Sequence, residues 1–86
     1  MTQKYAEEYK KIGLNIAYYR KLKNLTQLQL AENVGISRTH MSNIEAPNKP
    51  TSLSLEVLLD IAEVLDIPAK SLLAFDREML KEWKVE

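Results

Sequence analysis

The side chains able to do chemistry gather in the middle of the chain. His40 is the only histidine, and Ser37, His40 and Glu45 fall within nine residues. A hydroxyl, an imidazole and a carboxylate are the parts of a nucleophilic triad, but nothing in their order suggests one. A metal site needs several His, Cys or carboxylate ligands together, and His40 has no second histidine and no cysteine to join it. There is no glycine-rich phosphate loop, and no carboxylate pair stands out for acid and base work. An enzyme is therefore not expected, nor a cofactor or a metal. What surrounds His40 is a row of hydrogen-bonding side chains, Arg38, Thr39, Ser42 and Asn43, with Gln27 upstream and Lys49 downstream.

The elements that carry them are helical. Apolar residues at 5, 9, 12, 16, 19 and 22 form a helical stripe. Asn24 and a start signal at Thr26 end it. Thr26 and Gln29 have the spacing of a capping box, in which each side chain serves the other's backbone N–H. A short helix follows with Leu30, Ala31 and Val34 on one side, and Gly35 stops it because glycine reaches positive φ without a Cβ clash. Ser37 is a good N-cap for the next helix, whose inward pair is Met41 and Ile44. Pro47 closes that helix by pushing the residue before it out of the helical region. A polar loop leads to a fourth helix over 55–65, capped by Ser52 or Ser54. Pro68 fits the first position of a fifth, over about 69–73, which either continues or restarts at Asp76 and runs through Trp83. No alternation typical of strands appears. The expected fold is all-α: five compact helices with a short C-terminal helical extension.

Length and composition agree. The 86 residues make one small domain, near the lower limit for an independent core. The longest apolar runs are four residues, far short of a membrane span of about 20, so no membrane segment or secretory signal is expected. Cysteine is absent and only two glycines and three prolines occur, against disulfide scaffolds, disorder and a turn-rich β fold. A cytoplasmic setting fits. The net charge of zero hides a split: residues 1–50 hold eight Lys or Arg against four Asp or Glu, and residues 51–86 hold the reverse. One half is suited to meet an anion while the other faces away.

Two short helices joined by a tight glycine turn are the mark of a helix-turn-helix, and the unit spans residues 27–46. Ala31 sits where the helices cross, Gly35 makes the turn, and Leu30, Val34, Ile36, Met41 and Ile44 fill the angle. The run from Thr26 to Glu45 resembles the phage-repressor/Cro-type helix-turn-helix family. Ile12, Gly13 and Arg20 resemble its first helix, and the stretches 55–62 and 66–68 its fourth and the start of its fifth. The resemblance covers about 12–73. Residues 74–86 form an extension outside it, within a single domain of 1–86. Ala46-Pro47 stands where the family has a glycine-bearing turn, and the loop before Leu55 is longer.

The resemblance implies sequence-specific binding of duplex DNA in the major groove, as a dimer on a palindromic operator, to control transcription, most simply as a repressor. Gln27 sits where family members contact a phosphate, with the helix N-terminus adding backbone N–H groups. The helix from Arg38 to Ile44 corresponds to the recognition helix. Arg38 can fork onto guanine O6 and N7, Asn43 can pair with adenine, and the Thr39 methyl can meet a thymine methyl. Ser37, Ser42 and Lys49 complete the expected DNA-binding set, with His40 either at the groove edge or simply solvated. The family also joins an arginine of the first helix to the glutamate closing the third, which here are Arg20 and Glu45; a partly buried ion pair is expected.

Assembly is read from the fourth helix. Leu55, Leu58, Leu59, Ala62 and Leu65 are expected to face the core. That leaves Val57, Ile61 and Val64 as a second apolar stripe needing cover. Phe75, Met79, Leu80 and Trp83 could supply it, either by folding back onto their own fourth helix or by packing across a two-fold axis. A homodimer is preferred, since pairing sets two recognition helices about 34 Å apart, one DNA turn. The alternative is an antitoxin-type regulator whose C-terminal segment binds a partner protein.

Overall fold

The computed structural model describes residues 4–49 and 51–74. They form four α-helices, α1 (Ala6–Leu22), α2 (Gln27–Val34), α3 (Arg38–Glu45) and α4 (Leu55–Leu65), followed by a 3₁₀ turn at Ala69–Leu73. No strand occurs among the described residues. The all-α class stands, and the α-helix count among the described residues is four rather than five. The fifth element is a single 3₁₀ turn of five residues, bounded by extended backbone at Pro68 (ψ 143°) and at Ala74 (ψ 108°). Pro68 is its cap rather than its first residue. The expected continuation through Trp83 lies outside the described residues.

The local signals act as chemistry requires. Thr26 Oγ1 accepts from the Gln29 N–H at 3.0 Å, and Gln29 Oε1 accepts from the Thr26 N–H at 2.9 Å, a complete capping box. Ser54, not Ser52, caps α4, accepting from the Val57 N–H. Gly35 turns the chain at φ +90°. Ala46 is extended before Pro47, ending α3.

The core is Ile12 and Ile16 of α1, Leu30 and Ala31 of α2, Met41 and Ile44 of α3, Leu58, Ile61, Ala62 and Leu65 of α4, and Leu72 of the turn. Val34 and Ile36 pack against it, half-buried. Two parts of the expected pattern are corrected. The ends of the α1 stripe, Tyr5 and Leu22, are exposed. With 17 residues α1 is about 25 Å long, while α2 and α3, eight residues each, are about 12 Å, so α1 overhangs its neighbours. On α4, Ile61 is fully buried with Val57 and Val64 half-buried beside it, while Leu55 and Leu59 are 67% and 48% exposed. The apolar arc of α4 is wider than one contact face. The placement of α2, α1 and the turn against it, not its own pattern, selects the buried part.

Two buried residues of α1 set how the layers meet. A Cβ at Gly13 would overlap the backbone carbonyl oxygen of Ile44, so α1 and α3 approach backbone to backbone. Asn15 is 2% exposed and its Nδ2 donates to the Leu72 carbonyl at 3.0 Å and the Ala74 carbonyl at 3.4 Å. It fastens the 3₁₀ turn to α1 and satisfies its own amide.

Candidate nucleic-acid interface

Three helices meet at a buried charge network. Arg20 Nε donates to Glu45 Oε2 at 2.7 Å and Nη2 to Oε1 at 3.0 Å, a two-pronged pair. Arg20 Nη1 donates to the Leu25 carbonyl at 2.7 Å. Gln27 Nε2 donates to Glu45 Oε1 at 3.0 Å. Arg20 and Glu45 are 8% and 6% exposed. The expected pair therefore exists and is more deeply buried than partial burial would make it. Arg20 spends its charge inside the protein and serves as scaffold.

The network fixes α3 relative to α1 and the start of α2. It also changes the meaning of Gln27, the first residue of α2 and half-buried. One of its amide hydrogens points to Glu45. Its second amide hydrogen and its carbonyl oxygen are not used in that bond. Sequence reasoning missed this tie. The signal was present: a glutamate beside an arginine has acceptor capacity left over, and a glutamine at a helix start is a natural donor.

Of α3's residues only Glu45 is acidic, and Arg20 neutralises it. The outward side of α3 thus carries a guanidinium and no unpaired carboxylate. At 100° per residue, Thr39 and Asn43 lie opposite the buried Met41 and Ile44. Arg38 is exposed at the helix start. Asn43 is half-buried, and its Oδ1 accepts from Lys49 Nζ at 3.4 Å, so the loop lysine and the helix amide stand together. Ser37 is exposed, and its hydroxyl accepts from the His40 N–H at 2.9 Å; capping occupies it. His40 is half-buried on one flank. Ser42 lies on the other, half-buried, and lines an open cleft of about 430 Å³ with Leu14, Ala17, Lys21, Gln27 and Pro47. Thr39, Asn43 and Lys49 come together with Arg38 at one end. Ser42 and Gln27 form a second group on the α1 side. No group of three or more His, Cys, Asp or Glu suited to a metal occurs among the described residues, and none of their helices is long and apolar enough to cross a membrane.

Known proteins share this fold. The chain is 33% identical over 79 residues to the HTH-type transcriptional regulator SinR of Bacillus subtilis (strain 168), spanning 85% of this chain and 70% of SinR. A crystal structure of SinR, described as the master regulator for biofilm formation, in complex with DNA matches with a TM-score of 0.67 and 36% identity, covering 73% of this chain and 98% of that one. The restriction-modification controller protein C.AhdI from Aeromonas hydrophila matches with a TM-score of 0.70 and 29% identity, over 77% of this chain and 97% of its own. A helix-turn-helix family model matches residues 16–72, and these residues include α2, the Gly35 turn, α3 and both partners of the buried pair: the chain belongs to the helix-turn-helix family, of the phage-repressor/Cro type.

Proposed function

We propose that the chain is a transcriptional regulator that binds duplex DNA in a sequence-specific manner, acting in the cytoplasm as a repressor and as a homodimer on a palindromic operator. α3 enters the major groove. Arg38, Thr39 and Asn43 meet base edges, with His40 at the groove wall. Gln27 and Lys49 meet phosphate, and Ser37 and Ser42 lie along the same contact. The observation that carries this reading is the inward pairing of Glu45, whose charge Arg20 neutralises and whose carboxylate also accepts from Gln27. It leaves the projecting side of α3 free of negative charge while locking the helix in place. The acidic residues of α4 sit on a different element, in keeping with a half of the molecule that faces away from phosphate. SinR is described as a transcriptional regulator and C.AhdI as a restriction-modification controller protein, and a SinR structure solved in complex with DNA supports the same use of this fold.

Competition binding tests the proposal. Arg38→Ala should cost about 1–3 kcal/mol on the preferred duplex and relax preference at one base position. Gln27→Ala should weaken all duplexes alike. Equal loss on preferred and scrambled DNA for Arg38→Ala would remove it from base reading. Sedimentation at tens of micromolar tests the homodimer, which a monomer with and without operator would contradict.

A further inference from the structure

By residue type Asn43 suits adenine, whose N6–H donates and whose N7 accepts. The loop after α3 changes what its amide can offer. Ala46 leaves the helix extended, and Pro47 takes the second place of a tight turn, where its fixed φ fits. The Lys49 N–H closes that turn on the Ala46 carbonyl at 3.3 Å. Thr51 Oγ1 then donates to the Lys49 carbonyl at 2.9 Å. The turn carries Lys49 back to α3, where its Nζ donates to Asn43 Oδ1 at 3.4 Å.

That contact sets the amide by chemistry. The two ends of an asparagine amide are told apart by their partners. An ammonium has three donors and no acceptor, so only the oxygen of Asn43 can face it. Nδ2 is left to meet a ligand. Glu45 is the one carboxylate of α3, and it faces Arg20 and Gln27, so nothing on that helix draws the ammonium elsewhere. Asn43 is half-buried and Lys49 exposed. A charged contact at the surface adds little to stability, yet it still decides which atoms are presented. In the major groove guanine shows two acceptors, N7 and O6, while adenine shows one acceptor and an amino donor. The N–H groups of Asn43 match both guanine atoms. The amino group of adenine would have to share Oδ1 with a cation that repels its hydrogens.

We infer that Lys49 is a positioning residue for base reading: by holding the Asn43 carbonyl it makes Asn43 a donor and shifts its preference from adenine to guanine. The inference rests on the proposed function, which places Asn43 at a base edge. Two further Nζ hydrogens of Lys49 remain for phosphate, so one residue ties backbone contact to base choice.

The test uses the full chain in two steps. Without DNA, the side-chain amide of Asn43 is followed by nitrogen–proton correlation NMR. Lys49→Met should displace its signals. The control Lys70→Met, on the 3₁₀ turn that packs on α1 and α4, should not. An Asn43 amide unmoved by Lys49→Met would overturn the contact and the inference with it. With DNA, duplexes selected from a random pool give the base position whose preference Asn43→Ala removes. The native chain should favour guanine over adenine there, and Lys49→Met should reduce that ratio about tenfold while other positions keep theirs. In an Asn43→Ala background Lys49→Met should leave every base ratio unchanged. A native preference for adenine at that position would overturn the inference. So would a Lys49→Met variant that weakens all duplexes equally, which makes Lys49 a phosphate contact alone, or a ratio change that persists without Asn43, which makes the lysine itself the reader. Each of these leaves a selective native chain and the proposed function intact. A native chain with no base preference at any position would overturn the proposed function and the guanine assignment together.

Discussion

Replacing Glu45 with alanine strikes the point where three helices are joined. Glu45 accepts two hydrogen bonds from Arg20 and one from Gln27. At 8% exposure Arg20 has almost no water to turn to, so the solvent screening that weakens surface pairs does not apply. Removing one partner of a buried pair costs about 3–5 kcal/mol, because it strands the other charge. Arg20 keeps its bond to the Leu25 carbonyl, and the cleft it borders is open. Both place the loss near the lower end, about 3 kcal/mol. A chain of this length has a total stability of roughly 4–13 kcal/mol, so the change removes a large share of it. Thermal unfolding followed by circular dichroism should show a fall of more than about 10 °C. The double variant Arg20→Met with Glu45→Leu removes both charges at once, and apolar replacement of a buried pair is often neutral or better; it should recover most of the loss. A Glu45→Ala variant melting within a few degrees of the native chain would refute the reasoning, as would a double variant no more stable than the single one.

Other substitutions probe the remaining joints. Gly13→Ala drives a Cβ into the Ile44 carbonyl, and backbone yields less readily than a side chain, so a loss of about 1–3 kcal/mol in urea unfolding is expected. Asn15→Leu leaves the buried Leu72 carbonyl without its donor and should cost about 1–3 kcal/mol by the same measurement. Gly35→Ala meets open space but holds φ at +90°, so only strain of about 1–2 kcal/mol is expected; a greater loss than for Gly13→Ala would show that the turn matters more than the close approach.

The helix-turn-helix was legible because its signals are local. A capping box closes over four residues, Gly35 answers to its own φ, and Pro47 acts on the residue before it. The buried pair was legible through resemblance, since 25 residues separate Arg20 from Glu45 and no periodicity joins them. Gly13 and Asn15 show where local reading ends. Gly13 is required by a carbonyl on α3, and Asn15 by one 57 residues away. α4 shows a different limit: its apolar arc fits more than one buried face, and the pattern alone points Leu55 and Leu59 to the core and Ile61 to the open side, the reverse of what the fold buries. At the candidate interface, residue types single out α3 for its row of hydrogen-bonding side chains. They could not show that Ser42 borders the cleft, that Lys49 stands on Asn43, or that Gln27 leans on Glu45, because each depends on a neighbouring element.

Selection of bound duplexes from a random pool tests the central claim most directly. Purified full-length chain is incubated with the pool at physiological salt, and bound DNA is recovered, amplified and sequenced over several rounds. The predicted result is an enriched sequence with two inverted half-sites whose centres lie about one helical turn apart, 10–10.5 base pairs, and a base preference within each half-site that weakens when Arg38→Ala replaces the native chain. Recovery of duplexes no different from the starting pool, with equal affinity for every sequence, would contradict base reading by α3.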